Sequence, residues 1–186
     1  MFKVWDNIID DLFIHELDNE IILSEMWALN NIANRKTLPY GYKGEHLIWG
    51  ADFYNYINRF DVKNNMGPHL KTLWHIILAI FKKGYKDLDI SLFKIQGNAQ
   101  NIGQDGELHN DFYHHEGLKL DCTHTLLYFL NPIWEKNWGG EFIMYNKEKK
   151  VDKVIDFNPG RIILFDTGID HRGLAPKKNN IIRRSL

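Results

Sequence analysis

The texture of the sequence changes near residue 88, and that change limits the folds open to it. Before it, apolar residues recur at helical spacing. The stretch 10–29 has an acidic start and carries Leu12, Phe13, Leu17, Ile21, Ile22, Met26 and Leu29, which predicts a helix. A second helix is predicted over 68–85, with Pro68 near its start and Gly84 near its end, the favoured asymmetry. Its stripe Leu70, Leu73, Trp74, Ile77, Leu78 and Phe81 reads as core packing. The stretch 34–66 between them is aromatic and reads as irregular. After residue 88 the chain becomes a series of short β-rich runs at 89–100, 122–131, 141–146, 153–157, 160–166 and 180–186, separated by turn signals such as "WGG", "NPG" and "DTG". Helices first and short strands afterwards predict an α+β domain in which helices buttress a sandwich or barrel.

Composition adds exclusions. With 186 residues, 44% of them hydrophobic and 25% charged, the chain has the size and balance of one soluble domain. A formal net charge of −1 offers no global field for nucleic acid or an anionic membrane. No apolar run reaches membrane-spanning length. Six acidic residues fall in the first twenty, which no signal-peptide apolar region tolerates. A single cysteine, Cys122, fits a reducing compartment, so the expected setting is the cytoplasm. Nothing in the sequence speaks to oligomeric state.

The chemistry-bearing stretch is 107–115, "ELHNDFYHH", after a loop containing Gly103 and Gly106. His109 and Asp111 are two apart and share a face of an extended segment. Among the nine histidines, His171 stands out because it follows a buried-looking strand and a turn, where a fold can aim a side chain inward. Two histidines and a carboxylate form the facial triad of non-haem Fe(II) oxygenases, which leaves coordination positions open. The sequence contains only six arginines, four of them at 161, 172, 183 and 184. Strand alternation places Arg183 and Ser185 on one face and Arg184 on the other. A guanidinium with a hydroxyl two residues on can grip a carboxylate.

In order, "HND" (109–111), "TLLYFLN" (125–131), "WGGEF" (138–142), "PGRIILFD" (159–166), "HRGLAP" (171–176) and "RRSL" (183–186) resemble the 2-oxoglutarate- and Fe(II)-dependent dioxygenases of the prolyl 4-hydroxylase-like group. The likeness is greatest to the small forms of phages and marine bacteria, and it covers about 88–186. It implies a double-stranded β-helix, a jelly-roll-like barrel buttressed by the N-terminal helices. The whole chain would be a single domain, with 1–87 mainly helical support and 88–186 the barrel core. It implies Fe(II) held by His109, Asp111 and His171, and 2-oxoglutarate held at its distal carboxylate by Arg183 with Ser185 assisting. The implied reaction consumes O₂, yields succinate and CO₂, and hydroxylates an unactivated C–H, with ascorbate keeping the iron reduced. A prolyl residue of a peptide or protein is the substrate the resemblance favours; other peptidyl residues and small molecules (a free amino acid, a sugar or a nucleobase) are the alternatives.

Many relatives carry a tyrosine where Phe129 stands, so Tyr128 is a co-substrate contact only if the strand is irregular. Many carry lysine at the Arg183 position, and many extend the last strand further beyond it. Asn98 and Gln100, two apart on the strand before the metal loop, are candidates for lining the pocket or for a hydrogen-bonded strand edge. Trp134 and Trp138 are candidates for substrate contact or for capping a core. Two other classes compete: a Zn hydrolase-like barrel using His109 with His114 or His115, and a non-catalytic ligand-binding barrel. Neither makes use of the full His109, Asp111, His171 and Arg183 set.

Overall fold

The computed structural model describes residues 1–31, 47–56, 63–86, 89–112, 114–115 and 120–186. In chain order its elements are β1 (Phe2–Trp5), α1 (Asp11–Ile22), β2 (Ala28–Asn31), β3 (Ile48–Asn55), β4 (Lys63–Asn64), α2 (Pro68–Gly84), β5 (Lys94–Gln100), β6 (His114–His115), β7 (Leu120–Asp121), β8 (His124–Tyr128), β9 (Phe142–Tyr145), β10 (Val151–Ile155), β11 (Ile162–Asp166), β12 (His171–Gly173) and β13 (Arg183–Ser185). No helix among the described residues is long and apolar enough to cross a membrane.

Helix α1 starts where Asp10 Oδ1 accepts the backbone N–H of Phe13 at 2.9 Å, the usual N-cap chemistry. It stops at Ile22, seven residues before the expected end. Ser24 Oγ accepts the N–H of Met26, and Trp27 Nε1 donates to the carbonyl of Ile21. The chain then turns into β2, which pairs with β3. Sheet pairing outweighs the helical spacing of Met26 and Leu29. Helix α2 follows its expected bounds closely. Its N-terminus is capped from the other helix: the Glu20 carboxylate accepts the N–H groups of His69 and Leu70, both at 3.0 Å.

Among the described residues of the front half, four strands accompany the two helices. Strands β1, β2, β3 and β4 all lie there, and β3 falls inside the stretch read as irregular. Only the part of that stretch outside 32–46 and 57–62 lies within the described residues.

The strands form two layers. In one, β13–β5–β3–β2 run side by side and β1–β11–β8 form a second run. The end of β8 and the residue after it join them, since Tyr128 and Leu186 exchange backbone hydrogen bonds at 2.8 and 3.0 Å and Phe129 bridges to Ser185. The other layer is β10–β9–β12, extended by a bridge between His109 and His171. The arrangement fits the expected double-stranded β-helix as an open pair of facing layers, with no closed barrel among the described strands.

Alternation then assigns two cores. On the outer face of the first layer, Tyr128, Leu130 and Ile162 pack with Ile14, Leu17 and Leu70 of the helices. Between the layers, Phe129, Ile163 and Phe165 pack with Phe142, Met144 and Phe157. Each fully buried side chain of this size contributes about 1.5–3 kcal/mol.

Candidate active site

The bridge between the start of β12 and residue 109 brings two distant segments together. His109 N–H donates to the carbonyl of His171 at 3.0 Å, and His171 N–H donates to that of His109 at 2.7 Å. Asp111 N–H donates to Thr167 O at 3.0 Å. With the backbones fixed, the side chains converge. Asp111 Oδ1 lies 3.6 Å from His109 Nε2, and its Oδ2 lies 3.5 Å from His171 Nε2. One donor atom from each residue fits within 4.8 Å of the others. Among the described residues, this is the cluster able to hold a metal ion.

The ring nitrogens are set by their neighbours. His109 Nδ1 lies 2.8 Å from Glu107 O and His171 Nδ1 lies 2.9 Å from Ile169 O. A carbonyl oxygen only accepts, so both Nδ1 atoms carry the proton and both Nε2 lone pairs face the cluster. Thr125 Oγ1 donates to Asp111 Oδ2 at 2.8 Å. Burial holds the His171 pKa below its usual value, against the raising effect of Asp111, so the neutral, metal-binding form is favoured. Two imidazole nitrogens and a carboxylate, with their outer hydrogen bonds already made, suit Fe(II).

Arg183 lines the same cavity as His109, Asp111 and His171. The arginine is 2% exposed. Nε donates to Gly140 O at 3.0 Å, and Nη1 donates to Gln100 Oε1 at 2.8 Å and to Ser185 Oγ at 3.3 Å. Nη2 makes no hydrogen bond and the guanidinium no ion pair among the described residues. Burial pulls its pKa down to about 10, opposed by the charge of Glu141, so it remains a cation at neutral pH. Phe129 and Phe157 flank it, with ring centroids 5.3 and 5.6 Å from the guanidinium carbon.

Two glycines make room for it. Gly140 has φ +81°, and a Cβ there would lie 2.7 Å from Trp134 and 3.3 Å from Arg183 Cδ. A Cβ on Gly173 would lie 3.2 Å from Arg183 Nη2. These close approaches and the left-handed backbone favour glycine.

The other sequence candidates divide. Tyr128 is a correction: its strand is regular, so it faces the helices, fully buried with Leu17 and Ile162, and Phe129 faces Arg183. The Tyr128 hydroxyl has no hydrogen-bond partner among the described residues, and burial raises its pKa. Asn98 pairs in register with Ser185, on the Gln100 face of β5. Trp134 packs on Phe157 at 4.2 Å and donates to Gly139 O, so it caps the core behind Arg183. Trp138 lies under Lys178. His114 and His115 form β6, paired with β7, and their side chains lie outside the described residues. Thr125 and the clamp made by Gln100 were not singled out from the sequence. Thr125 is one β-branched residue in a β-rich run, with no local pattern to mark it.

Residues 95–186 match the family model described as the 2OG-Fe(II) oxygenase superfamily. The chain belongs to this superfamily. It is a 2-oxoglutarate-dependent dioxygenase, of a family that uses Fe(II), 2-oxoglutarate and O₂. The oxygenase also shares its fold with solved prolyl hydroxylases. A Pseudomonas putida prolyl-4-hydroxylase matches at 14% identity and TM-score 0.63, over 99% of this chain and 88% of the other. A Trichoplax adhaerens prolyl hydroxylase in complex with a hypoxia inducible factor oxygen degradation domain peptide fragment matches at 15% and 0.64, over 99% and 80%. The viral collagen prolyl hydroxylase of Paramecium Bursaria Chlorella virus-1 matches at 14% and 0.64, over 99% and 92%. At such identities the likeness is one of fold. No curated protein sequence matches the chain.

Proposed function

We propose that this oxygenase hydroxylates a prolyl residue of a peptide or protein. Fe(II) would be held by His109, Asp111 and His171. The distal carboxylate of 2-oxoglutarate would rest on Arg183 with Ser185 assisting. When bound, the iron supplies open coordination positions at which 2-oxoglutarate and O₂ are activated. The protein's own residues do the rest. Glu107 O and Ile169 O hold the imidazoles with Nε2 inward. Thr125 fixes one oxygen of Asp111. Phe129 and Phe157 keep water from the guanidinium, which strengthens its attraction for a carboxylate.

The observation that carries the reading is a buried cation with no ion-pair partner among the described residues, in the same cavity as a two-histidine, one-carboxylate cluster. A Zn hydrolase would leave Arg183 without a task. The prolyl-hydroxylase fold likeness supports a peptide as the substrate.

The test is a panel of proline-containing peptides incubated with Fe(II), 2-oxoglutarate and ascorbate. A gain of one oxygen on proline, matched by succinate, is expected. Succinate formed with oxygen placed only on non-prolyl substrates would overturn the prolyl assignment.

A further inference from the structure

Gln100, a candidate either for lining the pocket or for a hydrogen-bonded strand edge, has its amide occupied by the protein. It is 2% exposed. Its Oε1 accepts from Arg183 Nη1 at 2.8 Å, while its Nε2 donates to Gln104 O at 2.7 Å and to Gly173 O at 3.1 Å. Gly106 N–H donates to the same Gly173 carbonyl at 2.8 Å. One side chain therefore joins three segments. These are the strand that carries Arg183, the loop running from Gln104 through Gly106 to His109, and the strand that begins at His171 and passes Gly173.

We infer that Gln100 is a positioning residue for the co-substrate anchor, coupling the orientation of the Arg183 guanidinium to the backbone that carries His109 and His171. The inference rests on the reading of Arg183 as the anchor of the distal carboxylate. Arg183 is held on one edge by Gly140 O through Nε and on another by Gln100 through Nη1. Together these bonds fix the plane of the guanidinium and leave Nη2 for a ligand. A neutral amide suits this task better than a carboxylate. Glutamate at 100 would keep the acceptor but pair with the cation, competing with the incoming anion. It would also set negative oxygens against the carbonyls of Gln104 and Gly173.

The experiment is calorimetric titration of the Fe(II)-loaded protein, under anaerobic conditions, with 2-oxoglutarate and with 2-oxobutyrate, which lacks the distal carboxylate. Gln100→Met keeps the length and removes the hydrogen bonds. We expect it to weaken 2-oxoglutarate binding about tenfold, the value of one charge-assisted bond, with 2-oxobutyrate unchanged. Gln100→Glu is expected to weaken 2-oxoglutarate binding further, roughly a hundredfold, again selectively. Having two variants keeps the test decisive if one fails to fold. An equal loss for both ligands, or no loss for either, overturns the proposal, since a merely structural glutamine cannot tell the two acids apart. Arg183→Ala separates the premise from the inference. If it fails to bring 2-oxoglutarate affinity down to that of 2-oxobutyrate, the anchor reading falls. If it does so while the Gln100 variants show no selectivity, only the role of Gln100 falls.

Discussion

Arg183 and Arg184 are adjacent in sequence and have opposite surroundings. Arg184 lies on the helix side, where Nε and Nη2 reach both oxygens of Asp18 on α1 at 2.7 and 2.6 Å. Arg183 points between the layers, held by neutral acceptors only. The first pair is complete and ties the last strand to a helix. The second cation has no ion-pair partner among the described residues. A strand's two-residue period is enough to send neighbouring identical side chains to different tasks.

The comparison predicts a crossed pair of effects, the largest expected. Arg183→Ala should lower 2-oxoglutarate affinity at least about a hundredfold, since it removes a desolvated charge partner, with little change in urea unfolding. Arg184→Ala should do the reverse. It strands a buried Asp18 and should cost about 3 kcal/mol of stability, with 2-oxoglutarate affinity nearly unchanged in calorimetry. Similar losses of affinity in both variants would mean that the face assignment is wrong.

A smaller effect should come from Gly173→Ala. Its Cβ would approach Nη2 to 3.2 Å and displace the guanidinium, weakening 2-oxoglutarate binding about tenfold if one charge-assisted bond is lost. Arg184 should be indifferent to it, so stability should hold; a large fall in melting temperature would show that Gly173 serves the sheet instead.

The smallest effect belongs to a third arginine. Arg161 donates through Nε and Nη2 to Asp6 at 2.7 and 2.9 Å, but Asp6 is about a third exposed. The bond to Arg161 is the main reason the Asp6 pKa sits below its usual 3.8. A carboxyl depressed on folding adds stability above its unfolded pKa and loses it as pH falls through the folded value. Asp6→Ala should therefore cost under about 1 kcal/mol at neutral pH, after solvent screening. The difference from wild type should vanish in unfolding curves taken well below pH 3.8. A cost that persists there would point to packing rather than charge.

Legibility in the sequence followed the same physics. The short runs after residue 88 are bounded by turns, and each has a counterpart strand near its expected place. The parity of 183–185 was readable because β13 is regular. Strand β3 was not, because it is buried on both faces at Ile48, Gly50, Ala51 and Phe53 and shows no alternation. Strand β2 hid behind the helical spacing of Met26 and Leu29. Tyr128 was drawn toward the co-substrate by likeness to relatives, and the regular pairing of β8 with β11 turns it to the helices. The convergence of His109 and His171 depends on a backbone bridge between residues 62 apart, which no local pattern encodes. Gln100 was legible as a candidate but not in its role, since its three partners come from separate segments.

The most direct test is to mix the protein with Fe(II) and 2-oxoglutarate without O₂, then admit O₂ and measure succinate. The account predicts a weak visible charge-transfer band before O₂ and succinate after it, both lost in His171→Ala. No band and no succinate, with Zn(II) held more tightly by the same residues, would contradict it.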